Sequence, residues 1–148
     1  MAQRDLPPVH YRLLIVEDND DDFRIAERVI RKAAPHVSID RAVDGVEAVE
    51  WMKNCTPERL PHILLSDVKM PRLDGIELVR WVRANAPEPH LPLVVLTSSA
   101  EPRDMLDAYS AGASAFLVKA VDYDRYKSEL EAFCRFYFGV VRYPDVTN

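Results

Sequence analysis

The chain has 148 residues, 48% hydrophobic and 29% charged, the size and balance of one globular domain with enough length to bury a core. A formal net charge of −5 and a pI of about 5.4 argue against nucleic acid as a partner, because phosphate-backbone binding needs a basic footprint. No apolar run is long enough to cross a membrane, MAQRDLPPVH lacks the apolar centre of a secretory leader, and Cys55 and Cys134 form no metal motif. These features predict a cytoplasmic protein with reduced thiols.

Residues 1–10 are polar and carry prolines, so a flexible arm is expected there. Tyr11 to Val16 reads as a buried strand. An amphipathic helix comes next over Asp20 to Lys32, with Phe23, Ala26, Val29, Ile30 and Ala33 on one stripe. Ser38 to Ala42 is a weaker strand, and Asp44-Gly45 opens a helix through Val46, Val49 and Met52. Ile63 to Ser66 is a third strand, and Ile76 to about Ala84 a third helix. Leu93 to Leu96 is the most continuously apolar strand. Ser98 and Ser99 are candidate caps for the next helix, with Pro102 in its first turn and Gly112 past its end. Phe116 to Val118 is a fifth strand, and a last helix runs from about Asp122 to Phe138. Short strands, apolar on both faces and alternating with helices, predict a parallel sheet covered on both sides. One domain over 11–138 and a C-terminal extension over 139–148 are expected.

Ligands of doubly wound sheets bind outside the carboxyl ends of the strands. At those ends stand Glu17 and Asp18, then Asp67, then Thr97 and Ser98, then Lys119. Three carboxylates crowded together cannot all stay ionised without a counter-charge. A hard divalent cation such as Mg²⁺ supplies it, and a lysine and a hydroxyl suit phosphoryl oxygens. The set reads as a site for phosphoryl transfer onto a carboxylate. Asp20, Asp21 and Asp22 fit the start of a helix, where the macrodipole favours negative charge.

In order along the chain, LLIVEDND, LLSDVKMPRLDGIEL, LVVLTSS and AFLVK resemble the receiver domain of two-component response regulators, from about Arg12 to Phe138. The resemblance implies a flavodoxin-like α/β fold, a five-stranded parallel sheet in order 2-1-3-4-5 with five helices. It implies that Asp67 accepts a phosphoryl group from a histidine kinase. It assigns Mg²⁺ ligation to Glu17, Asp18, Asp67 and the backbone carbonyl of Lys69. It gives Thr97 and Lys119 to the phosphate, and makes Phe116 the aromatic switch residue, here without a hydroxyl. Such a protein is a phosphoacceptor, not an enzyme in the ordinary sense, although it assists its own phosphotransfer and dephosphorylation.

Ala120 departs from the pattern, which has a cis proline after the lysine; the cost of a cis bond before a non-proline predicts trans here. All four histidines are expected in surface loops. Phe136, Phe138, Val140, Val141 and Tyr143 add apolar surface beyond the stripe of Leu130, Phe133 and Tyr137, which predicts a homodimer through the last helix and tail, with folding back onto the domain as the competing reading. This tail, FLVKAVDYDRY and the lack of a following output domain resemble the stand-alone response regulators that partner bacterial phytochromes. Output would then pass by protein contact or phosphorelay. Two competing functions are a phosphate-independent binding module on the same fold, which Ala120 favours, and an aspartate-nucleophile phosphohydrolase, which lacks its second Asp at Lys69.

Overall fold

The computed structural model describes residues 10–86, 90–98 and 101–143. Five parallel strands form one sheet in the order β2-β1-β3-β4-β5. They are β1 (Tyr11–Val16), β2 (Val37–Ala42), β3 (Ile63–Ser66), β4 (Leu93–Thr97) and β5 (Ala115–Val118). Between and after them run α1 (Asp20–Ala33), α2 (Gly45–Asn54), α3 (Gly75–Asn85), α4 (Pro102–Ala111) and α5 (Tyr123–Arg135). A 3-10 turn at Pro57–Arg59 adds to the expected elements, and α5 runs on into a π-helical turn, Phe136–Val140.

Strand position in the sheet follows composition. Every residue of β3 and β4 is buried, whereas β2 and β5 are half-exposed edge strands. Alternate residues divide the core in two. Leu13, Ile15, Ile63, Leu65, Val94 and Leu96 pack beneath α1 and α5. Leu14, Val16, Leu64, Leu93 and Val95 face α2, α3 and α4. The stripe of α1 buries Ala26, Val29 and Ile30, while Ala33, expected on it, is exposed and Ala34 takes the inward place. Asn19, Asp44, Asp74 and Asp122 each cap a helix through the side chain, leaving the strand-to-helix turns short and fixed.

Beneath the opposite end of the sheet, the C-terminal segment folds back. Phe138 is buried against Tyr11 and Phe133. Tyr143 meets the Tyr11 and His62 rings and donates its hydroxyl to the Tyr137 carbonyl at 2.8 Å. The aromatic end is therefore not apolar on all faces toward water. Phe138 and Tyr143 turn inward because their rings fill the space below Tyr11, while Phe136 and Val140 stay exposed. Nor is His62 a surface loop residue: it is half-buried, and its Nδ1 accepts the Arg12 N–H at 3.0 Å. His10, His36 and His90 are exposed, as expected.

Candidate functional site

Glu17, Asp67 and Lys119 each stand just past a strand whose neighbour holds their backbone. The Glu17 N–H donates to the Ala42 carbonyl, the Asp67 N–H to Val16, and the Lys119 N–H to Thr97, at 2.7 to 3.0 Å. Glu17 Oε1 accepts the Asn19 N–H at 3.2 Å, and Asn19 Oδ1 accepts the Asp22 N–H at 2.9 Å, so the turn into α1 closes on itself. Asp67 Oδ1 accepts the Val68 N–H at 2.7 Å. Behind Asp67 the start of α3 comes so close that a Cβ on Gly75 would lie 2.0 Å from the Asp67 carbonyl oxygen. Only glycine allows that approach.

Lys119 is the centre of the constellation. Its Nζ lies 2.8 Å from Glu17 Oε2, 3.1 Å from Asp22 Oδ2 and 3.2 Å from Asp67 Oδ2, with the side chain 11% exposed. An ammonium has three N–H donors, and here three carboxylates receive them. Burial works against the charge on Lys119, but the hydrogen bond to Glu17 and the charges of Asp67 and Glu17 outweigh it and hold the ammonium above its usual range. Burial also raises Glu17 above the ordinary carboxylate value; Lys119 offsets part of this and Asp67 adds to it. Tyr126, buried on α5 nearby, is pushed up to about 12, mainly by burial, and stays a neutral phenol.

Glu17, Asp18 and Asp67 each place one carboxylate oxygen within 4.8 Å of the others. Glu17 is buried, Asp67 half-buried and Asp18 exposed. An all-oxygen set with one open side suits a hard cation that keeps waters, so these residues fit Mg²⁺.

The remaining predicted residues are more scattered. Thr97 is buried at the end of β4. Ser98 is exposed and does not cap α4; that position belongs to Glu101, because Pro102, with its fixed φ and missing N–H, takes the first helical place. Ser99 lies outside the described residues. Phe116 is half-buried on edge strand β5, and its N–H donates to the Tyr109 hydroxyl at 3.1 Å. The Lys69 side chain is exposed and borders an open groove of about 530 Å³ between α3 and α4, with Arg80 and Asp107. No described peptide bond is cis, so Lys119–Ala120 is trans.

Two residues of the site are not apparent from sequence. Asp22 does sit in the first turn of α1, as the macrodipole argument expects, but it also reaches Lys119. Its signal is its place on the stripe of Ala26, Val29 and Ile30, where a carboxylate needs an interior partner. The other is Arg41, on β2, which binds the Glu17 carbonyl.

Sheet order and acidic rim together define a flavodoxin-like domain of the signalling type. The chain belongs to the response regulator receiver domain family, whose sequence pattern matches residues 13–131. Receiver domains take phosphoryl groups from histidine kinases in two-component signalling. The gliding motility regulatory protein of Myxococcus xanthus is 37% identical over 108 residues, 73% of this chain. The chain spans only 13% of that relative's length. The phosphorylated cyanobacterial phytochrome response regulator RcpA superposes with a TM-score of 0.84 at 20% identity, covering 92% of this chain and 99% of that one. RPA3017, a response regulator in red light signalling of R. palustris, superposes with a TM-score of 0.79 at 27% identity, covering 90% and 98%. Among the described residues, no helix is long and apolar enough to cross a membrane.

Proposed function

We propose that the chain is a response regulator that accepts a phosphoryl group on Asp67 from the phosphohistidine of a histidine kinase, with Mg²⁺ held by Glu17, Asp18, Asp67 and the Lys69 carbonyl. The observation that carries this reading is Lys119 bound at once to Glu17 and Asp67, a cation already seated where phosphoryl charge would arrive. An Asp67 carboxylate oxygen forms the new bond to phosphorus, the P–N bond breaks, and the imidazole leaves with the electron pair. Bound Mg²⁺ would supply charge neutralisation for the acidic rim and the incoming phosphoryl oxygens. Lys119 offers N–H donors to those oxygens, and Thr97, buried beside the rim, offers a hydroxyl.

The readout is a change on the face of α4, β5 and α5. Thr97 moves toward the phosphoryl group and Phe116 takes the space it leaves, by packing alone. Met105, Leu106, Tyr109, Val121 and Tyr123 are exposed on this face, which suits a protein partner. Phe136 and Val140 extend apolar surface from α5 and favour a second copy of this chain. Likeness to RPA3017, a response regulator in red light signalling, supports a light-sensing kinase as partner, taken in this reading as a phytochrome. A cytoplasmic site of action belongs to this reading.

The test is intact-protein mass spectrometry after incubation with acetyl phosphate, with and without Mg²⁺, on wild type and Asp67→Asn. One phosphoryl adduct that needs Mg²⁺ and is absent from the variant is expected. No adduct on folded wild type that binds Mg²⁺ would leave a phosphate-independent binding module on the same fold.

A further inference from the structure

The β1–α1 turn crowds Glu17, Asp18, Asp20, Asp21 and Asp22 into six residues, and besides Lys119 a second cation, Arg41 on β2, grips it. Arg41 Nε and Nη2 donate to the Glu17 carbonyl oxygen at 3.1 and 2.9 Å. Its Nη1 pairs with Asp20 Oδ1 at 2.8 Å. Its guanidinium carbon lies 4.6 Å from the centre of the Phe23 ring. The side chain is only 21% exposed, so the fork is held by packing as well as by charge.

The carbonyl it grips belongs to the peptide that joins Glu17 to Asp18. That peptide is planar, so fixing its oxygen fixes the direction in which Asp18 departs from Glu17. The preceding peptide is held too, since the Glu17 N–H donates to the Ala42 carbonyl, the residue after Arg41. Strand β2 thus sets both peptide planes flanking Glu17, while the Asn19 N–H and Lys119 hold Glu17 only at its carboxylate. Asp18 is exposed, and its carboxylate has no ion pair among the described residues.

We infer that Arg41 is a positioning residue of the cation site: it acts through the Glu17 carbonyl to hold the Glu17 and Asp18 carboxylates in register for a divalent ion. This rests on the Mg²⁺ reading above. A lysine at 41 would keep the charge but lose the planar fork, which places two donors on one carbonyl and a third on Asp20.

Isothermal titration of Mg²⁺ into wild type, Arg41→Lys and the surface control Arg31→Lys, with apo melting curves for each, tests it. Arg41→Lys should weaken Mg²⁺ affinity about tenfold, the range of supporting-residue losses at metal sites. Arg31, paired with Glu27 on the outer face of α1, should change nothing. A purely structural Arg41 would lower the apo melting temperature and leave the dissociation constant of the folded variant at the wild-type value, which would overturn the inference. Failure of wild type to bind Mg²⁺ would instead sink the cation reading on which it stands. Should Arg41→Lys not fold, Arg41→Gln, which retains an amide donor for the carbonyl, gives the second measurement; affinity above wild type there, as loss of the cation's repulsion alone would give, overturns the inference equally.

Discussion

Strand β1 ends in two different kinds of chemistry. At its carboxyl end, Glu17 joins Asp22, Asp67 and Lys119 in a cluster held by charge. At its amino end, Tyr11 lies within 5.5 to 5.8 Å of the rings of Phe138, Tyr143, His36 and His62. The first end is poised between ionic partners and can exchange them. The second buries apolar area and has no alternative partner of equal quality. Ionic and aromatic contacts are thus placed at opposite ends of the same six residues.

Breaking the aromatic end should have the largest effect on stability. Phe138→Ala is expected to cost about 3 kcal/mol, as buried aromatic truncations do, read from urea unfolding. Phosphorylation per folded molecule should be unaffected. A loss below about 1 kcal/mol would mean that the tail is not docked in solution.

Breaking the ionic end should cost less and respond to metal. Lys119→Met leaves Glu17 and Asp67 without their cation, a loss of about 2 kcal/mol once the partial exposure of Asp22 is discounted. Mg²⁺ should then raise the melting temperature of the variant more than that of wild type. Equal shifts in a thermal-melt titration would contradict the shared-charge account.

Acid sharpens the contrast at the aromatic end. Burial, with Arg12 and His10 nearby, lowers His62 to about 4 from 6.5. The unfolded chain therefore binds the proton first, and stability should fall as pH drops from about 6.5 toward 4. His62→Gln should flatten that part of the stability curve; an unchanged slope would assign it to other groups. The smallest effect expected is from Tyr143→Phe, which removes the bond to the Tyr137 carbonyl and should cost about 1 kcal/mol or less in urea unfolding.

The ionic end is far more legible from sequence than the aromatic one. Glu17, Asp18, Asp67, Thr97 and Lys119 each stand at a strand end, and strand ends come from local apolar runs. Fold order and rim then result from how parallel sheets are wound. Asp22 is half legible, since its place in the helix is local but its bond to Lys119 spans 97 residues. Arg41 is hidden because an arginine on an edge strand usually faces water. The tail divides for a similar reason: Phe136 and Phe138 are equally apolar, and only the space beneath Tyr11 decides which turns in. Ser98 misleads because the proline at 102, not the nearest hydroxyl, fixes where α4 begins.

The three-fold grip on Lys119 has a consequence for how the site keeps account of its surroundings. A lysine fixed to the chain is a competitor that no dialysis removes, present at high effective concentration beside the carboxylates any divalent ion must share. Whatever draws that amine aside frees those oxygens, and whatever claims the oxygens loosens the amine. If the site takes both groups as proposed, phosphoryl occupancy and cation affinity would shift each other by the same factor. On the proposed reading the tethered competitor would make the rim a comparator of two ligands, while Lys119 already gives Glu17 and Asp67 a counter-charge.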